Sequence, residues 1–204
     1  MTADALLHLT KADKTLGKLI QRVGPCRLVP KNGRSPYESL VRAVVYQQLN
    51  GTAAATILSR VRALYPGRRF PRPQDIVSTS DERLRSAGLS RAKTAAVKDI
   101  SAKTLEGIVP TSRAIATMTN EEIIERLTSL RGVGSWTVEM LLIFTLGRPD
   151  VLPATDYGVR NGFARIYGWK ELPQPKELLE FGERWKPHRT TAAWYFWRAL
   201  ELPD

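Results

Sequence analysis

Two stretches of the chain carry residue types whose spacing suits chemistry. In Leu130-Arg131-Gly132-Val133-Gly134-Ser135, two glycines flank one apolar residue between apolar helical runs. That spacing suits a tight turn with positive φ and a close backbone approach to a partner. A helix restarting at Ser135 aims backbone N–H groups outward with no intrahelical acceptor, which makes an anion site suited to a phosphate. In Leu152-Pro153-Ala154-Thr155-Asp156-Tyr157, Pro153 forbids a continuous helix, and Thr155 or Asp156 caps the next one. The dipole of that helix favours a carboxylate at its start as the anion. Read locally, Asp156 is a plain N-cap before it is a reactive group. Trp136, just after the hairpin, reads equally as a core ring or as an exposed stacking face.

Helices must position both stretches. Thr119-Asn120-Glu121-Glu122 reads as a capping box, with Ile123, Ile124 and Leu127 repeating on one face before the hairpin. After it, Val138, Met140-Leu141-Leu142, Phe144 and Leu146 predict a buried helix, and Val159, Phe163 and Ile166 give the helix behind Asp156 its apolar side. Upstream, residues 2–23 predict one or two amphipathic helices closed by Gly24-Pro25. Ser35-Pro36-Tyr37-Glu38 combines an N-cap, a proline at the first helical position and a capping-box glutamate, for a helix ending near Leu49. Asn50-Gly51-Thr52 punctuates, and a helix follows over 53–65, then a basic loop over 66–73 and short turns around Ile76 and Leu84. Ser90 caps a longer helix to about Leu105. Helices over 175–185 and 187–202 complete the chain. No segment alternates with period two, so the predicted fold is all-α.

Composition narrows the partner. The chain has 204 residues, 43% hydrophobic and 25% charged, an ordinary globular mixture. Its 31 Lys+Arg against 20 Asp+Glu give a net charge of +11, which points to a polyanion. With Cys26 alone there is no intrachain disulfide and no four-cysteine iron–sulfur site, and two histidines leave no histidine-rich metal site. No leader pattern and no long apolar stretch is seen, so the expectation is a soluble intracellular protein without membrane contact.

The Gly-Val-Gly hairpin with its apolar helix, followed by Leu-Pro-x-x-Asp-Tyr opening the next helix, resembles the helix-hairpin-helix DNA glycosylases, and within them the 3-methyladenine DNA glycosylase II group. Ala43-Val44-Val45-Tyr46-Gln47-Gln48-Leu49, Gly88-Leu89-Ser90-Arg91-Ala92-Lys93, and Trp185-Lys186-Pro187-His188-Arg189 with Ala192-Ala193-Trp194 extend the resemblance over most of the chain. It implies one glycosylase domain over 1–204, built as two helical lobes with a cleft between them. The hairpin and catalytic segment then span about 119–168, and the N-terminal β-domain of some relatives is missing.

The implied activity is removal of alkylated purines from double-stranded DNA by a monomer, cytoplasmic and nucleoid-associated if bacterial, nuclear if eukaryotic. Asp156 matches the essential aspartate. Trp136 stands where strand-cutting relatives carry lysine, which implies a monofunctional enzyme that leaves an abasic site. Its face, with Tyr46, Gln47, Tyr157 and Trp185, forms the substrate pocket, and Gln48 or, second, Leu49 plugs the gap left by the extruded base. Gly132, Gly134 and the exposed amides around Ser135 hold one DNA phosphate, Arg131, Val133 and Thr137 join them in binding DNA, and Ser90, Arg91 and Lys93 reach DNA elsewhere. No cofactor is required, but main-chain carbonyls of Thr128, Leu130 and Val133 match a site for a monovalent cation. Trp194 and Trp197, at i, i+3 spacing, read as core, and Asp150 as a loop or capping residue. Thr155 replaces the second acid of some relatives. The rival reading is a non-catalytic binder of DNA structure or lesions using the same hairpin.

Overall fold

A computed structural model describes residues 3–31 and 33–203, and every regular element among them is a helix. In chain order these are α1 (Ala3–Ala12), α2 (Lys14–Val23), α3 (Pro36–Tyr46), α4 (Gly51–Ala63), α5 (Pro73–Ser78), α6 (Asp81–Ser86) and α7 (Arg91–Leu105). There follow α8 (Ser112–Ala116), α9 (Asn120–Thr128), α10 (Ser135–Phe144), α11 (Tyr157–Tyr167) and α12 (Pro175–Phe181). A 3₁₀ turn, Gly182–Trp185, then leads to α13 (Arg189–Ala199). The all-α expectation holds. No helix among the described residues is long and apolar enough to cross a membrane.

Most helix starts follow the capping signals. Ser35, Asn50, Ser80, Ser90, Thr111 and Thr119 each accept the amide three residues on, satisfying a donor that the helix itself cannot. Three readings need correction. The helix starting at Pro36 stops at Tyr46 rather than near Leu49, because Gln47 turns to extended ψ and Gln48 takes φ 56. Glu38 does not complete a capping box: its buried carboxylate accepts from Arg42 Nε at 3.0 Å and Arg69 Nη2 at 2.7 Å. The following helix begins at Gly51, since Asn50 Oδ1 caps Ala53 N–H at 2.8 Å. The short α8 was not expected at all, being too brief to show a period.

The chain divides into two compact units, Met1–Lys31 with Leu142–Asp204, and Asn32–Leu141. The second buries Leu40, Val41, Val44 and Val45 of α3 with Val97 and Ile100 of α7, and Ile123 and Leu127 of α9. Each such side chain contributes about 1.5–3 kcal/mol when fully removed from water. The first unit packs α2, α11 and α13 together around Phe163, whose ring meets Tyr167 at 4.4 Å, Phe181 at 5.0 Å and Phe196 at 5.8 Å. That cluster is the floor on which α11 rests.

Candidate active site

The hairpin is built by neighbours far away in sequence. Leu130 N–H donates to Leu127 O, and Val133 N–H to Leu130 O, both at 3.2 Å, which closes the turn after α9. Arg131 N–H donates to Asp99 Oδ2 of α7 at 2.8 Å. Gly132 turns the chain at φ 75, and a Cβ there would lie 3.1 Å from the Ala96 methyl. On the other side, Gln47 Nε2 donates to Gly132 O at 3.0 Å and to Thr137 Oγ1 at 3.4 Å. Asp99 and Ala96 were not anticipated; no local pattern marks them.

The two glycines differ. Positive φ is found at Gly132 only, and nothing lies within 4 Å of a Cβ placed at Gly134. Gly134 therefore answers no demand of the fold, and its missing side chain leaves open space beside the backbone where α10 begins. Gly134 and Ser135 are exposed there, and Gly134 O accepts Val138 N–H at 3.2 Å to start the helix. Val133 and Thr137 are buried, at 5% and 4% exposure. Their side chains brace the hairpin from within, which leaves their main-chain groups as the parts that could meet DNA.

Asp156 is the N-cap of α11. Its N–H donates to Pro153 O at 2.9 Å, and its Oδ1 accepts Val159 N–H at 2.8 Å. The same Oδ1 accepts Trp197 Nε1–H, also at 2.8 Å. Trp197 is thus no ordinary core ring, as its spacing from Trp194 suggested: it is half-buried, stacked on Phe144 at 5.6 Å, and fixes the carboxylate. Gly158 makes room for this, since a Cβ there would lie 2.9 Å from Trp197 Cδ1. Asp150 anchors the start of the helix that carries Trp197. It accepts Arg189 Nε at 2.8 Å, Nη2 at 2.9 Å and the Arg189 N–H at 3.2 Å. Burial works against the Asp150 charge, but the Arg189 hydrogen bonds and charge outweigh it and hold its carboxyl below the usual range.

The remaining candidates separate by exposure. Trp136 on α10, Tyr46 at the end of α3, Leu49 and Tyr157 at the start of α11 are 43%, 40%, 40% and 67% exposed, and Gln48 is exposed on its turn. Ser90 and Arg91 are exposed at the start of α7. Trp185 has no exposure, and its Nε1 donates to Asp13 Oδ2 at 3.0 Å. It is a core ring satisfied by a buried carboxylate and leaves the substrate-binding set. Lys93 is likewise redirected: Nζ donates to Val45 O at 2.7 Å and Gln47 O at 2.8 Å. Thr128 Oγ1 turns back onto Ile124 O at 2.8 Å, and no group of three or more His, Cys, Asp or Glu among the described residues could hold a metal.

Two helices joined by a glycine turn, with a fixed carboxylate at the start of the helix after them, define a helix-hairpin-helix protein. The family model described as HhH-GPD superfamily base excision DNA repair protein matches residues 41–188, and the chain belongs to that superfamily. It is 40% identical to DNA-3-methyladenine glycosylase 1 of Schizosaccharomyces pombe, over 98% of this chain and 88% of that one. It is 35% identical to an alkylbase DNA glycosidase-like protein of the same yeast, over 96% and 92%. Among solved structures, S. pombe 3-methyladenine DNA glycosylase in complex with abasic DNA matches with TM-score 0.86 and 40% identity, over 99% of this chain and 98% of that one. DNA-3-methyladenine glycosidase from Bacillus halodurans matches with TM-score 0.87 and 33% identity, over 96% and 88%.

Proposed function

We propose that this chain is a monofunctional DNA glycosylase. It takes an alkylated purine of the 3-methyladenine or 7-methylguanine type out of a DNA duplex and hydrolyses its N-glycosidic bond, leaving an abasic site for base excision repair. The observation that carries the reading is Asp156, oriented through Oδ1 by an amide and an indole N–H within a full-length likeness to 3-methyladenine glycosylases. Breaking the bond builds positive charge on the sugar. A carboxylate fixed beforehand stabilises that charge and orients the attacking water without reorganising during the reaction. One unit charge about 4 Å away at an effective dielectric constant of about 20 contributes about 4 kcal/mol, roughly a thousandfold in rate.

A base must leave the stack before its sugar can be reached. Trp136, Tyr46 and Tyr157 are each exposed rings that offer a stacking face, and a methylated purine bearing positive charge gains from such a face. Gln48 or Leu49 fills the vacated space. One phosphate sits on the amides around Gly134 and Ser135, and Ser90 and Arg91 take another. The carbonyls of Thr128, Leu130 and Val133 are the groups for a monovalent cation, the Leu130 oxygen keeping a second lone pair beside the Val133 N–H it accepts. The reaction consumes water and needs no cofactor. The net charge of +11 draws the protein to DNA, as a monomer, in a nucleus or on a nucleoid.

Strand cutting by a Schiff base requires an amine beside the sugar. Trp136 occupies the lyase position, and the sequence has no lysine between Lys103 and Lys170. Duplexes each carrying one defined lesion test the reading. The expected result is release of the free base with the strand whole until alkali or heat, and no covalent adduct trapped by borohydride. Tight lesion binding without any base release would instead favour the non-catalytic reading, and a trapped adduct would make the protein a lyase.

A further inference from the structure

We propose that Lys93 is a positioning residue for base extrusion: its ammonium holds the Gln47–Leu49 turn in the shape that presents Gln48 and Leu49 to the duplex. The proposal rests on the glycosylase reading above. Gln48 is the one non-glycine residue with positive φ among the described residues. L-residues adopt that conformation only when their surroundings impose it. Here the imposing contacts are visible. Helix α3 has no basic residue in its last turn, and the Gln47 N–H closes it on Ala43 O and Val44 O, one residue short of Val45 O. Lys93, reaching over from α7, donates to Val45 O before the turn and Gln47 O within it. Leu49 N–H closes the turn on Tyr46 O at 3.3 Å.

The same turn is tied to the hairpin by the Gln47 amide on Gly132 O. Lys93 therefore secures one side of a segment whose other side is secured by the phosphate-binding loop. Tyr46, Gln48 and Leu49 stand exposed between these ties. Burial pulls the Lys93 ammonium below its ordinary pKa, and the Val45 and Gln47 carbonyls take two of its three N–H donors. Such an amine is ill placed to neutralise a DNA phosphate, which is the role that its position in a basic surface segment suggests.

Lys93→Met keeps the stem and removes the donors; Lys93→Arg keeps donors and charge. Three quantities are measured for each: affinity for undamaged duplex as a function of salt, fluorescence of a 2-aminopurine placed as the target base, and base release from one alkylpurine set either in a paired duplex or opposite a gap. The expected result for Lys93→Met is an unchanged salt slope and weaker extrusion fluorescence. Release from the paired duplex should be slower by roughly tenfold to a hundredfold, the loss that one charge-assisted hydrogen-bonded contact produces. Release opposite the gap, where no plug is needed, should fall less than about twofold by the same argument, and Lys93→Arg should restore part of the paired-duplex rate. A salt slope reduced by about 0.9 would make Lys93 a phosphate contact and overturn the proposal. Equal losses on both substrates would reduce it to a stability residue, which also overturns it. Absence of base release by the unaltered protein would refute the glycosylase reading itself, a separate failure.

Discussion

The proposed reaction asks Asp156 to stay ready for a transient cation, yet as the cap of α11 it has a structural task already. Trp197 resolves the conflict. Both the Val159 amide and the Trp197 indole donate to Oδ1, so helix capping and orientation act through a single oxygen. Trp197→Phe keeps the ring against Phe144 and removes only the donor. Base release should fall roughly tenfold to a hundredfold, as for loss of one hydrogen bond to a charged group, while the far-ultraviolet circular dichroism and DNA affinity stay unchanged. A rate within twofold of the unaltered protein would show that the indole only packs. Sequence spacing could not reveal this role. Trp194 and Trp197 share a helix and look alike in the sequence, and only tertiary packing turns one inward and the other toward Asp156. The opposite happened to Trp185, whose place in a matching segment suggested the pocket but whose indole is consumed by buried Asp13.

At the scale of elements, the hairpin separates folding demands from binding demands. Gly132→Ala must place a side chain at φ 75 and 3.1 Å from Ala96, so it should lower stability and DNA binding together. Gly134→Ala meets neither obstacle. Its melting temperature should stay within a few degrees, since a single uncrowded surface change is usually worth less than about 0.5 kcal/mol. Its affinity for any duplex, damaged or not, should nevertheless fall, because a methyl group occupies the space a phosphate needs. Thermal melts beside binding titrations check both, and undiminished DNA affinity of Gly134→Ala would remove the phosphate from this turn. Elements with strong local signals were legible in advance: the capped starts at Ser35, Ser90 and Thr119, the hairpin and the helix behind Asp156. The end of α3 was not. Gln47 and Gln48 are good helix formers, and the chain leaves the helix there through contacts with Lys93 and Gly132, each supplied from far along the sequence. The short α8 went unexpected for a different reason, a cap without enough turns to show a period.

For the whole molecule, charge, family and chemistry agree. A +11 chain belonging to a base excision repair superfamily presents a glycine turn, exposed rings and one fixed carboxylate. With Thr155 rather than an acid before Asp156, the proposed function rests its chemistry on one carboxylate. Its most direct test is single-turnover base release from a duplex holding one alkylpurine, comparing the unaltered protein with Asp156→Asn. Asparagine retains an oxygen for Val159 and Trp197 and keeps the shape, removing only the charge. The expected result is a folded variant that binds lesion DNA as well as the parent and releases base more slowly by about a thousandfold, the value of one charge at close range. A folded Asp156→Asn protein that releases base at the parental rate would contradict it.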